Sequence, residues 1–104
     1  MASRAPGVGV DIEKIESRTD GFVQLAFSAK ELDFLPQNER DSWLTRGWCA
    51  KEAVGKARGT GLNFAPKSLE IEACSETRLQ VNGMWVETEV SEDYGMAWIV
   101  EEAS

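Results

Sequence analysis

The sequence contains no histidine. That excludes a Ser–His–Asp triad, a histidine general base and histidine-ligated zinc, so any chemistry must come from carboxylates, lysines, arginines and hydroxyls. Cysteine is scarce as well: Cys49 and Cys74 are the only two, and their separation is not that of a metal-ligand pair. Both read as small buried residues rather than as a disulfide, and a reducing, cytoplasmic setting is the expectation. No run of about eighteen apolar residues occurs, so no membrane-crossing helix is expected. Met1–Pro6 hold one arginine with no apolar run behind it, which argues against a secretory leader. Low-complexity tracts and internal repeats are missing too.

Positive charge is in short supply, with 11 Lys/Arg against 18 Asp/Glu and a net charge of −7. Nucleic acid and anionic membranes are therefore poor candidates as partners. The imbalance is uneven. Residues 1–67 hold ten Lys/Arg and nine Asp/Glu, whereas residues 68–104 hold one and nine. The first two thirds can meet an anionic ligand; the last third would repel one. A length of 104 residues leaves room for a single domain over 1–104. So small a unit keeps much of its surface exposed, and partner subunits are expected.

Residues 8–13 alternate strictly and read as a strand, with Val8, Val10 and Ile12 on one face and Gly9, Asp11 and Glu13 on the other. The aliphatic face is expected to be the buried one. Thr19 and Asp20 begin a short helix carrying Phe22, Val23, Leu25 and Ala26. Ser28 and Glu31 have capping-box spacing for a second helix, which Pro36 closes. The longest helix is expected from about Glu39 to Arg58, with Gly59 beyond its end. After Pro66 the period changes to two. Strands are expected over 68–74, 77–81, 85–90 and 94–100, with Asn82-Gly83 as a hairpin turn. One strand, then helices, then antiparallel strands is an α+β order.

Asp11 and Glu13 leave the strand on one face, roughly 7 Å apart at the backbone. Two carboxylates so placed repel one another unless a cation lies between them, and hard oxygen donors suit Mg2+. A solvated strand face remains the plainer reading of that pair alone. On the long helix, Glu52 and Lys56 are neighbours at i, i+4, which by itself is an ordinary salt bridge. They sit among Trp48, Ala50, Ala53 and Val54, where free solvation is less assured. Lys51, Lys56 and Arg58 lead into Gly59-Thr60-Gly61, whose backbone N–H groups could face a phosphate. A helix-terminating loop is the simpler account of those glycines.

Taken together, Gly7-Val-Gly-Val-Asp-Ile-Glu13 and Trp48-Cys-Ala-Lys-Glu-Ala-Val-Gly-Lys56 resemble the paired signature of the phosphopantetheinyl transferase superfamily. Phe27-Ser-Ala-Lys-Glu31 between them is similar to that family's Phe-Ser/Thr-x-x-Glu element. The Lys-Ala-Arg-Gly-Thr-Gly-Leu that ends at Leu62 resembles the holo-acyl-carrier-protein synthase branch. The resemblance implies the family's fold and the transfer of 4'-phosphopantetheine from coenzyme A to a carrier-protein serine, with 3',5'-ADP released. By position it implies Asp11, Glu13 and Glu52 as Mg2+ ligands. Glu52 is also implied as the general base or as the residue that positions it, a metal-bound water being the other candidate base, and Lys56 as the residue that contacts the diphosphate. Lys51, Arg58, Gly59, Thr60 and Gly61 join Lys56 as the implied coenzyme A contacts. An acid at Glu13 is the pattern of the surfactin-synthetase-activating branch, while the short length is that of the synthase branch. Single-unit members form trimers with coenzyme A at the subunit interface, so a homotrimer or a piece of a larger synthase is implied. Lys14, Arg18, Phe22 and Leu25 are candidates for docking the carrier. A catalytically silent assembly domain of a megasynthase, or another Mg2+-dependent phosphotransferase or phosphodiesterase, are the competing readings.

Overall fold

A computed structural model of the chain describes residues 7–59 and 66–101. Strand β1 (Gly7–Lys14) leads into helices α1 (Asp20–Ala26), α2 (Ala29–Phe34) and α3 (Arg40–Ala57). A 3-10 turn at Pro66–Ser68 precedes strands β2 (Ile71–Cys74), β3 (Arg78–Val81), β4 (Met84–Ser91) and β5 (Tyr94–Glu101). The five strands form one sheet in the order β1-β5-β4-β3-β2, every neighbouring pair antiparallel. The expected α+β order is the observed one.

Local chemistry accounts for the element ends. Thr19 accepts from the Phe22 N–H at the start of α1. Ser28 and Glu31 close a reciprocal capping box at α2. Asn82 and Gly83 both take positive φ, 48° and 83°, as a tight hairpin requires. Asn82 also donates through Nδ2 to Ser68 O and accepts at Oδ1 from the Glu70 N–H, so the approach to β2 is tied to that turn. The expected strand start at 68 is replaced by the 3-10 turn, since Pro66 favours a tight turn and Leu69 N–H bonds back to Pro66 O.

Helix α3 lies across one face of the sheet, and its Cys49, Ala50, Ala53 and Val54 are buried against Ile71, Leu79, Val81, Val86, Ala97 and Ile99. β1 packs on the same helix through its polar face, which reverses the expectation from alternation. Val8, Val10 and Ile12 are 64%, 49% and 56% exposed, while Gly9 and Asp11 are buried. The register explains why: Val10 pairs with Trp98 and Ile12 with Met96, so these side chains share the outer face. Exposed Tyr94, Trp98 and Trp85 extend that face across β5 and β4. The side given over to helix contact is the one with Gly9, where no Cβ stands between β1 and the α3 backbone.

Candidate active site

Asp11 emerges from the inner face of β1 beneath α3, with only 8% of its side chain exposed. Lys56, in the last turn of α3, donates through Nζ to Asp11 Oδ1 at 2.9 Å and to Val10 O at 3.1 Å. Asp11 Oδ2 is buried with no hydrogen-bond partner. Glu52 lies one turn before Lys56, itself buried, and Glu13 stands half-buried two residues along the strand. Burial, the adjoining Asp11 carboxylate and then the Glu52 charge push the Glu13 carboxyl up to about 7, with Arg18 opposing. Burial and Asp11 raise Glu52 as well, against the pull of Lys56. The hydrogen bond to Asp11 holds the Lys56 ammonium above its ordinary value.

Negative charge is thus packed beyond what one ammonium offsets. An orphaned buried carboxylate oxygen and three hard oxygen-donor side chains fit a small divalent cation such as Mg2+, which takes one or two carboxylates and fills its shell with water or phosphate. Among the described residues, no group of three acids or thiols stands close enough to encircle an ion as the side chains are placed. Lys56 occupies the nearest position to Asp11 instead.

Asp11 and Lys56 are in direct contact, and Glu13 and Glu52 lie near enough to act on them electrostatically, though as placed the three acids do not encircle an ion. Lys51 does not join them. Its side chain is wholly buried on another face of α3, and its Nζ is bound to Glu31, Ala26 O and Pro66 O, so it has no donor left for a phosphate. The expected coenzyme A contact at Lys51 is corrected to an internal ion pair; adjacent helical residues point about 100° apart, so 51 and 52 cannot share a face. Arg58 caps α3, and its guanidinium rests against Met84 Sδ at 3.6 Å. Gly59 takes φ +79°, the left-handed conformation of a helix C′ residue. Thr60 and Gly61 lie outside the described residues.

The surroundings of other residues depart from what the sequence shows of them. Glu31 was legible only as a cap, although the Phe-Ser-x-x-Glu resemblance marks it. Cys49 lies directly behind the acids, and burial together with Asp11 and Glu13 pushes its thiol up. Phe22 meets Trp48 edge-on at 5.3 Å, and Arg18, whose charge acts on Glu13, lies over Phe22 at 5.4 Å. No helix among the described residues is long and apolar enough to cross a membrane.

The residues with free carboxyl groups should respond to pH and cation together. Glu13 has a folded-state pKa of about 7, raised from 4.5, so its contribution to stability is present below 4.5 and lost as pH rises through about 7. A divalent ion pairs with the ionised form. We expect added Mg2+ to raise the thermal midpoint more at about pH 8 than at about pH 5.5. Equal shifts at the two pH values would mean that Glu13 does not bind the ion.

Comparison with known proteins places these residues in a family context. The model of the 4'-phosphopantetheinyl transferase superfamily matches residues 7–102. A holo-[acyl-carrier-protein] synthase of Caldicellulosiruptor saccharolyticus is 35% identical over 71 residues, covering 62% of this chain and 58% of that protein. One from Clostridium perfringens is 38% identical over 73 residues, covering 62% and 55%. The matched stretch thus spans a little over half the length of these relatives. The crystal structure of Thermotoga maritima holo-[acyl-carrier-protein] synthase superposes with a TM-score of 0.73 at 24% identity, covering 97% of this chain and 66% of that one. At that identity the likeness is one of fold.

Proposed function

The chain belongs to the 4'-phosphopantetheinyl transferase superfamily, and from that membership we propose that it transfers 4'-phosphopantetheine from coenzyme A to a serine of an acyl or peptidyl carrier protein. The observation that carries the reading is the gathering of Asp11, Glu13 and Glu52 around Lys56, whose ammonium is 2.9 Å from Asp11. Asp11, Glu13 and Glu52 would hold Mg2+, which when bound offsets the charge of the coenzyme A diphosphate.

The reaction needs a proton removed, a phosphorus held in line and a leaving group neutralised, with little covalent work by the protein. The serine oxygen forms a bond to the β-phosphorus, the bond from that phosphorus to the bridging oxygen breaks, and 3',5'-ADP departs with the electron pair. Glu52 accepts the serine proton or positions the base that does; in the metal-free protein burial and Asp11 raise its carboxyl. Lys56, half-exposed at the end of α3, can turn from Asp11 to the leaving phosphate, and its raised pKa keeps it charged. Leu25, exposed at the end of α1, and Arg18 with Lys14 supply an apolar and basic approach for an acidic carrier.

The outer sheet face supports assembly. Val8, Val10, Ile12, Tyr94, Trp98 and Trp85 form a contiguous exposed apolar surface of a kind rare on monomers. A homotrimer of this one-domain unit would cover it and bring a second wall to the site, and light scattering should then give about three times 11.5 kDa. A monomeric mass would instead favour a partner domain of a larger synthase. Two free cysteines accord with a cytoplasmic setting.

The deciding experiment is mass spectrometry of apo carrier protein incubated with the protein, coenzyme A and Mg2+. A gain equal to one phosphopantetheine is expected. No gain with fatty-acid, polyketide or peptide carriers would overturn the reading and leave a silent assembly domain.

A further inference from the structure

We propose that the buried Glu31–Lys51 pair is a positioning element for the acidic site, fixing the roll of α3 at the turn that carries Glu52. The proposal rests on the function given above, and concerns residues that touch neither cation nor substrate.

The pair is fully internal: 0% of the Lys51 side chain and 1% of the Glu31 side chain are exposed. Lys51 Nζ lies 2.7 Å from Glu31 Oε2, 3.0 Å from Glu31 Oε1, 2.6 Å from Ala26 O and 3.0 Å from Pro66 O. Its three N–H donors are thus all engaged. Glu31 is held as firmly. Oε1 also accepts from the Ser28 N–H at 2.9 Å and Oε2 from the Ile71 N–H at 2.8 Å. One ammonium therefore ties α3 to the end of α1, the start of α2, the head of β2 and the chain at Pro66. Burial pulls the Lys51 ammonium down, and Glu31 offsets that loss.

Stability does not explain the choice of ions. A buried pair recovers little beyond its own desolvation, and apolar side chains of similar volume usually do as well. What an ion pair adds is direction. Apolar packing is non-directional and resists a helix roll less than hydrogen bonds to fixed backbone carbonyls on two sides do. Lys51 is the residue next to Glu52, so the two side chains form a crank on one axis: Lys51 fastened to α1, α2 and β2, Glu52 reaching toward Asp11. Side chains extend about 5–6 Å from a helix axis, so a roll of about 10° moves the Glu52 carboxylate by about 1 Å. A misplacement of that size is worth about 100-fold in rate.

The test is the double variant Glu31→Leu/Lys51→Met, assayed for transfer and, on the protein alone, for Mn2+ affinity by water-proton relaxation. We expect cooperative unfolding to survive while transfer falls roughly 10- to 100-fold and Mn2+ binding weakens by about 10-fold. Rate and affinity both within about twofold of the parent would reduce the pair to a structural role and overturn the proposal. If the double variant does not fold, Glu31→Gln, isosteric and still able to accept from the Ser28 N–H, is judged by the same two measurements per folded molecule. A parent that binds Mn2+ but transfers nothing sinks the proposed function, and the Mn2+ comparison still decides the pair. A parent that binds no Mn2+ overturns the pair's role, because there is then no cation site to position.

Discussion

Glu52→Gln should abolish phosphopantetheine transfer while leaving the fold intact. The change is isosteric and removes both a proton acceptor and a charged ligand. Loss of a general base alone costs about 10²- to 10⁴-fold, and the weakened cation site adds to that. Stability should move the other way. Glu52 is buried beside Asp11 and its carboxyl is raised for that reason, so its ionised form at neutral pH strains the folded state. An amide ends that repulsion, and the thermal midpoint of the metal-free protein should hold or rise. The same argument predicts that Mg2+ stabilises the variant less than the parent. Carrier mass and thermal midpoint, measured on one preparation, check both halves. Undiminished transfer would take Glu52 out of the mechanism.

Gly9→Ala should have the largest effect on stability of any single methyl added to this chain's sheet. A Cβ at Gly9 would overlap the carbonyl oxygen of Ala53 and come within 2.8 Å of the Ala57 nitrogen. Both are backbone atoms of α3 and cannot swing aside as a side chain would. β1 must lift from the helix, at a cost of about 3 kcal/mol. For a domain of this size that is a fall of roughly 10–20 °C in thermal midpoint. Asp11 and Glu13 ride on the same strand, so Mg2+ binding should weaken as well. Gly21→Ala is the control. Gly21 lies in α1 with only Thr19 Oγ1 nearby, at 4.0 Å, and alanine there should be neutral or stabilising. A Gly9→Ala protein as stable as the parent would mean that β1 does not rest directly on α3.

Much of this was open to the sequence for a simple reason: turns, caps and shared faces depend on residues a few positions apart. Asn82-Gly83 carries its own preference for positive φ, Ser28 reaches Glu31 within one helical turn, and Asp11 and Glu13 must leave a strand together. The convergence of Glu52 and Lys56 on those acids is a tertiary fact, legible beforehand only through likeness to a family.

Other features were out of reach. Alternation in β1 sorts Val8, Val10 and Ile12 from Gly9, Asp11 and Glu13, but a period of two carries no sign saying which face is inside. Hydrophobicity pointed to the aliphatic face, and the helix took the other because only there could two backbones touch. Lys51 is the clearest case. A lysine beside a motif glutamate in a basic stretch reads as a phosphate contact. Its true partner is twenty residues away in sequence, in α2, and nothing local announces it.

The amino-acid order by itself determined the elements, their turns and which side chains would travel together, because those follow from backbone preferences and short-range periodicity. Which face of β1 went inward, whether a given lysine met solvent or a buried carboxylate, and how four charges came to share one small volume were decided only when α3 settled on the sheet. Burial belongs to the packed whole: a charged group acquires its partner and its proton affinity from neighbours that are distant along the chain until the fold has closed.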